Sequence, residues 1–226
     1  RSGVAGQSST THGYSSGGGT SGTLPGMQNT IDKFPFSSDT NASDIADLTQ
    51  ARQTAAGHES TTNGYTSGGD RGSGYAPTNT IDKFPFSSDS PASDVGDLTG
   101  NRKQVAGQSS LSHGYVCGGS TASGGSPPAV GGNGYWTSTI QKFPFAADAG
   151  SVDIAELHAD NKREGIAGHS SEVSGFNSGG AGSPWPGNPT ATFTTRIEKF
   201  SFSSDGDGSI TGDLSQARKQ AAGIQA

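Results

Sequence analysis

The most regular alternation of apolar and polar residues lies at 80–87, where Phe84 and Phe86 share one side of an extended segment and Ile81, Lys83 and Pro85 the other. Successive side chains on a strand project to opposite faces, so this spacing predicts a strand with one aromatic face. Three weaker patterns surround it. Residues 57–62 are short, rich in Ser and Thr and bounded by glycine, as suits a tightly packed inner strand. Asn63-Gly64 reads as a hairpin dipeptide leading into a second strand at 65–67, which stops at Gly68-Gly69. After the turn Asp89-Ser90-Pro91, residues 94–98 supply a short outer strand. Pro85 has no N–H for a ladder, which places it where the backbone faces away from a neighbour or bulges. Nothing in the chain has the period of an amphipathic helix.

The same four-strand pattern is written four times. The first copy runs AGQSSTTHGYSSGG (5–18), TIDKFPFSS (30–38) and SDIADLTQAR (43–52), and the second AGHESTTNGYTSGG (56–69), TIDKFPFSS (80–88) and SDVGDLTGNR (93–102). The third and fourth keep the order, with the pairs Gly118-Gly119 and Gly179-Gly180, Phe143/Phe145 and Phe200/Phe202, and Glu156-Leu157 and Asp213-Leu214. The repeats span approximately 5–52, 56–102, 106–163 and 167–218, and the Phe pair recurs at spacings of 50, 59 and 57 residues. Units of this size cannot bury both faces alone and stack on one another. Four antiparallel strands per unit is a propeller blade. The reading is one all-β domain over 1–226.

The order of a Gly-His-Ser-type strand, Gly-Tyr-x-x-Gly-Gly, Asn-Thr-Ile-Asp-Lys-Phe and Asp-Leu…Arg resembles the kelch repeat, from Ala5 to about Ala222. The double glycine and the third-strand aromatic match in all four copies, whereas the Trp a few residues after that aromatic is missing. Phe36, Phe86, Phe145 and Phe202 stand close by to fill its space. The wording KFPFSSD followed by SD[IV]xDLT is also similar to repeats of phage virion and tail proteins. The resemblance implies a kelch-like β-propeller of four four-stranded blades. Gln220 to Gly223 echo Val4 to Gly6, so the expectation is a small ring closed by the tail against the first blade. The alternative is an open arc of blades closed by oligomerisation, because bare sheet edges invite pairing with another chain.

Composition narrows the partners. A net charge of −6 with no Lys/Arg run argues against nucleic acid, whose binding draws on clustered cations. Hydrophobic residues make up 28% of the chain, and Ser and Thr together number 56. Such values usually accompany disorder, but here the apolar residues recur at fixed positions. No stretch approaches the roughly 18 apolar residues of a membrane span. No signal peptide is apparent, although a sequence beginning at Arg1 is compatible with one removed by processing. The single Cys117 takes the place of Ser16, Ser67 and Ser178, which predicts a small buried residue rather than a reactive thiol.

Candidate chemistry is sparse. Asp39, Asn41 and Ser43, and Asp205, Asp207 and Ser209, space oxygen ligands two apart as calcium loops do, but Leu214 stands in the place of a bidentate Glu. Asp, Asn, Ser and Gly are ordinary turn residues, and that reading is preferred, with Ca2+ as its alternative. Five histidines alternate by copy: Gln7 with His12 and Gln108 with His113, against His58 with Asn63 and His169 with Ser174, His158 lying apart. They read as hydrogen-bonding residues packed between blades, in preference to a ring of ligands on the axis. No nucleophile–base pair, phosphate loop or zinc spacing accompanies them. The loops between second and third strands vary most, and their aromatics Tyr75, Tyr135, Trp136 and Trp185 are the candidate ligand-binding residues. The expected function is a non-enzymatic structural or adhesive module of a virion or surface assembly, extracellular or virion-associated. Its partners would be other protein subunits or surface glycans. The alternative is a lectin using the aromatic loops or the grooves between blades.

Overall fold

The structure is a computed structural model that describes residues 1–20, 26–72, 77–121, 136–158, 162–182 and 192–224. Each repeat forms one antiparallel four-stranded sheet whose strands follow chain order from the inner edge outward. Blade 1 is β1 (Ala5–Ser8), β2 (His12–Ser16), β3 (Thr30–Pro35) and β4 (Ser43–Asp47). Blade 2 is β5 (Ala56–Glu59), β6 (Asn63–Ser67), β7 (Thr78–Pro85) and β8 (Ser93–Arg102). Blade 3 is β9 (Ala106–Ser109), β10 (His113–Cys117), β11 (Thr139–Pro144) and β12 (Val152–Glu156). In the fourth copy β13 (Arg163–Glu164) precedes the blade strands β14 (Ala167–Ser170) and β15 (Ser174–Ser178). Next come β16 (Ala181–Gly182) and β17 (Thr192–Phe193), then β18 (Arg196–Ser201) and β19 (Ser209–Asp213), which complete blade 4. β13, β16 and β17 form a small extra sheet that the pattern did not announce. The other copies carry it as single bridges, such as Gln53 to Asp70 to Pro77.

The first hairpin of each blade differs from its expected form. Asn63 and Gly64 lie inside β6, and the turn falls at 60–62. The Ser60 N–H donates to the Asn63 carbonyl (2.9 Å) and the Ser60 hydroxyl accepts from the Asn63 N–H (3.0 Å). Ser9, Ser110 and Ser171 do the same, so a serine closes the turn. Gly64 serves another purpose: a Cβ there would come within 2.3 Å of the Phe84 ring. Glycine lets that ring lie on β6, and Gly114 does the same beneath Phe143.

The double glycine joins the two long edges of a blade. Gly68 (φ 63°) and Gly69 (φ 105°) adopt left-handed backbone that glycine enters without penalty. The Gly69 N–H then donates to the Arg102 carbonyl at 2.7 Å, tying the end of β6 to the end of β8.

The apolar core lies between blades rather than within one, in three clusters. Tyr65 of blade 2 stacks on Phe145 of blade 3 (4.8 Å, 22°) and tilts against Phe143 (5.7 Å). Tyr14 meets Phe84 and Phe86, and Tyr115 meets Phe200 and Phe202, in the same way. Inner strands converge because they carry glycine where they meet. A Cβ on Gly57 would stand 2.1 Å from the Gly6 carbonyl, and one on Gly107 2.4 Å from that of Gly57.

The arc is not closed by its own tail. A Cβ on Gly6 would meet nothing within 4 Å, whereas one on Gly223 would press against the Gly168 carbonyl. The tail therefore continues the series from blade 4 instead of returning to blade 1. Phe34 and Phe36 are 39% and 57% exposed, against 1% for Phe84 and Phe143. The open arc describes the described residues, and the small ring does not. Closure depends on the angle between blades, which local sequence patterns do not encode.

Candidate functional site

Each seam between blades carries charge as well as aromatic rings. The Arg52 Nη2 donates to Asp82 Oδ2 (2.9 Å) and to the Thr66 carbonyl (2.9 Å), with both ionic side chains fully buried. Burial pulls the Arg52 guanidinium below its ordinary value, and Asp82 opposes that. Arg163 and Glu198 form the matching pair across the third seam at 3.2 Å. In the second seam the acidic position is Gln141, and Arg102 Nη1 reaches the Thr139 carbonyl at 3.5 Å. Farther out, a third-strand lysine pairs with an aspartate in the next blade's turn: Lys33 with Asp89, Lys83 with Asp148, and Lys142 with Asp205. The acidic stretch at 205–209 is thus engaged across a seam, where Asp207 also accepts the Glu156 N–H at 2.9 Å.

The inner strands add a polar layer in which the Gln/His alternation has a cause. Gln7 Nε2 donates to Tyr65 O (2.9 Å) and Thr66 Oγ1 (3.0 Å), and Gln108 Nε2 to Asn177 Oδ1 (2.7 Å). His58 faces a blade with Val116 at that place, which offers no side-chain partner. Its Nδ1 instead lies 3.1 Å from the Gln108 carbonyl, to which it donates, while Nε2 accepts from Ser67 Oγ at 2.8 Å. Burial pushes the His58 pKa down to about 4. Cys117 is buried beside Gln108 Oε1 (3.2 Å), and its thiol is pushed up to about 12 by burial. Neither group is presented to a substrate. Among the described residues no cluster of three or more His, Cys, Asp or Glu is spaced to hold a metal ion.

A cavity of about 340 Å³ opens where the first hairpins converge, lined by residues including Ser8, Glu59, Ser60, Ser109, Ser110 and Glu172. Glu59 N–H donates to Ser109 Oγ (3.1 Å) and Ser109 N–H to Ser170 Oγ (3.0 Å), so the hydroxyls are partly committed to joining blades. Burial raises the Glu59 carboxyl to about 7, opposed by the Ser8 backbone N–H.

Of the aromatic loop candidates, Trp136 is the one among the described residues. Trp136 is half-buried and bridged to Ser120, in the place that Pro77 takes in blade 2. Tyr75, Tyr135 and Trp185 lie outside the described residues. The hydroxyl-lined cavity is a site that loop composition did not signal. What could have found it is the run of Ser and Thr after each inner strand.

The two ends of the arc are where the seam pattern is left half-made. At blade 1, Phe34 and Phe36 lack a tyrosine from a preceding blade, and Asp39 has no ion-pair partner among the described residues. Asp32, in the place of Asp82, is met by Arg1, itself in the place of Arg52. At blade 4, Phe176 occupies the tyrosine position with Lys199 Nζ 5.8 Å from its ring centroid, and Arg218 is exposed. The Arg218 backbone is nonetheless held as in every seam, its carbonyl accepting the Gly180 N–H at 2.8 Å. A complete set of interface groups is thus divided between two faces.

No family model matches the chain, and no curated protein matches it. A solved structure described as "Structure of YjhT" is similar in fold, with a TM-score of 0.76 at 13% sequence identity. The similarity covers 99% of this chain and 74% of that one. At that identity it speaks to the propeller-like architecture alone.

Proposed function

We propose that the protein is a non-enzymatic, kelch-like structural or adhesive module that works through contact with proteins in a virion or surface assembly. The observation that carries this reading is the pair of half-made seams at Phe34/Phe36 and at Phe176/Arg218. Exposed aromatics beside unpaired charge, in an arrangement the same molecule uses three times internally, are the composition of an interface. The resemblance of the repeat wording to that of phage virion proteins is the basis for the setting. Retention of the chain on isolated particle or cell-surface protein fractions is the test. Phe34→Ser/Phe36→Ser should abolish retention while leaving thermal unfolding unchanged; undiminished retention sinks the reading.

A lectin is the second reading, favoured by the hydroxyl-lined cavity beside Glu59. It expects a glycan-array signal that Glu59→Ser removes and the Phe34/Phe36 variant keeps.

A further inference from the structure

We infer that the cavity at the inner hairpins takes one ring of a neutral sugar, with a ring hydroxyl donating to the Glu59 carboxyl and its neighbour accepting from the Ser109 hydroxyl. That sugar is the ligand class left open by the lectin reading, on which the inference rests. Glu59 and Ser109 meet in the interior seam between blades 2 and 3.

The four copies hold one position of these hairpins constant and vary those beside it. Ser9, Ser60, Ser110 and Ser171 close their turns through the backbone and recur unchanged. The residues before them are Ser8, Glu59, Ser109 and Ser170, and those after them Thr10, Thr61, Leu111 and Glu172. All of these flanking residues but Ser170 line the cavity. Differing side chains on a rigid, repeated frame give a scaffold its selectivity.

Each departure from Ser and Thr supplies something that a sugar ring uses. At the position of Glu59 a serine accepts the N–H of the preceding blade, Ser109 from Glu59 (3.1 Å) and Ser170 from Ser109 (3.0 Å). Glu59 accepts the Ser8 N–H in the same way, but a carboxylate has further lone pairs to offer. It is half-buried, no cation pairs with it among the described residues, and burial raises it to about 7. Ser109 Oγ, having accepted the Glu59 N–H, keeps its own proton to give. Acceptor and donor on adjoining blades match two adjacent ring hydroxyls. Leu111, 86% exposed on the rim, offers apolar surface to the C–H face of the ring. An ammonium group would use the carboxyl but accepts nothing from the hydroxyls. An acidic sugar would meet Glu59 and Glu172 on a chain of net charge −6. The volume of about 340 Å³ is near the lower bound for ligand pockets, roughly 300 Å³, and suits one ring better than an extended chain.

The test on the full chain is an array of neutral-terminated and acid-terminated glycans, then calorimetry with the methyl glycosides of glucose, galactose, mannose and N-acetylglucosamine. Neutral termini should give the signal. Glu59→Gln, which keeps the size and removes the charge, should weaken the bound glycoside at least about tenfold. Binding near neutral pH should also release protons, read from the difference in heat between phosphate and Tris buffers, because a donated hydroxyl favours ionised Glu59. Glu59→Gln should release none. Glu172 is the other titratable group on the wall, and His58 turns away to Ser67 and the Gln108 carbonyl, so Glu172→Gln should leave the release unchanged. Leu111→Ser, at an exposed position where folding is not at stake, should weaken binding about threefold or more and keep the release. Signal confined to acid-terminated glycans and lost in Glu59→Ser overturns the neutral-sugar inference while the lectin reading stands. Neutral-sugar binding that shows no proton release and is undiminished in Glu59→Gln overturns the placing of the ring against Glu59. An array without signal removes the inference and the lectin reading together.

Discussion

The seam between blades 2 and 3 and the bare face of blade 1 present the same aromatic pair in opposite circumstances. Phe143 is 1% exposed beneath Tyr65, and Phe34, at the same place in its repeat, is 39% exposed. Identical wording therefore contributes stability in one place and leaves exposed apolar surface in another. What differs is whether a neighbour is present, as expected where each unit's stability is shared with the next. The largest predicted effect separates the two. Phe143→Ala should cost about 3–5 kcal/mol, as large-to-small changes in a packed core do. Phe34→Ala should cost below about 1 kcal/mol. Denaturant melts of both variants check this, and equal losses would mean that blade 1 carries its ring as core.

Charge gives the next contrast. Asp82 is fully buried against Arg52, so Asp82→Ala strands a cation in the interior and should cost about 3 kcal/mol or more. Asp32 pairs with Arg1 at a partly exposed site, and Asp32→Ala should change stability by about 1 kcal/mol or less. A double-mutant cycle on each pair measures the difference directly.

Much of this fold was legible because it is written locally. The Phe pair, the Gly-Gly turn and the alternation at 80–87 each act within a blade, and their repetition fixed four sheets of four strands. Seam chemistry was less legible. Arg52 and Asp82 are 30 residues apart, in different copies, and only the packing of one blade on the next shows that they belong together. The stretch at 205–209 was read as a turn, with Ca2+ as its alternative, and its pairing with Lys142 of the preceding blade shows only once the blades are packed. The Gln/His alternation was visible, but its cause, the change from Thr66 to Val116 to Asn177 on the facing strand, needs register. Serine-closed hairpins were misplaced because Asn63-Gly64 imitates a turn, whereas Gly64 is there to clear Phe84.

An interior pair of neighbours also sets opposing pH dependences. His58 has its pKa lowered to about 4, so the unfolded chain binds more protons between there and 6.5, and stability falls as pH drops through that window. Glu59 has its pKa raised to about 7, so its stabilisation is complete below 4.5 and is lost as pH rises toward 7. The two slopes offset one another in the intact protein. His58→Gln, which installs the residue of copies one and three, should uncover a loss of stability with rising pH. Glu59→Ser, the residue of the other three copies, should uncover an acid-side loss of up to about 3 kcal/mol. Urea midpoints from pH 4 to 8 decide it; parallel profiles for both variants would mean that neither group is held as the seam geometry implies.

At one place the end of the chain is better built than the interior. Gly3, Thr54, Gln104, Gly165 and Gln220 form a ladder running from blade to blade, all with positive φ. The Thr54 N–H donates to Gly3 O (2.7 Å), and Gln104 N–H to Thr54 O (2.9 Å). Only the backbone makes these bonds, so the side chain of Thr54 adds a β-branched clash at φ 56° and nothing to the ladder. Left-handed backbone costs a non-glycine residue roughly 1–2 kcal/mol, and glycine's freer unfolded state returns part of that. Thr54→Gly should therefore stabilise the protein by about 0.5–1 kcal/mol, the smallest effect of the set and the one with the opposite sign. Gly3→Thr should reverse it at the terminal position, and a rise in melting temperature for Gly3→Thr would show that the ladder does not depend on left-handed backbone.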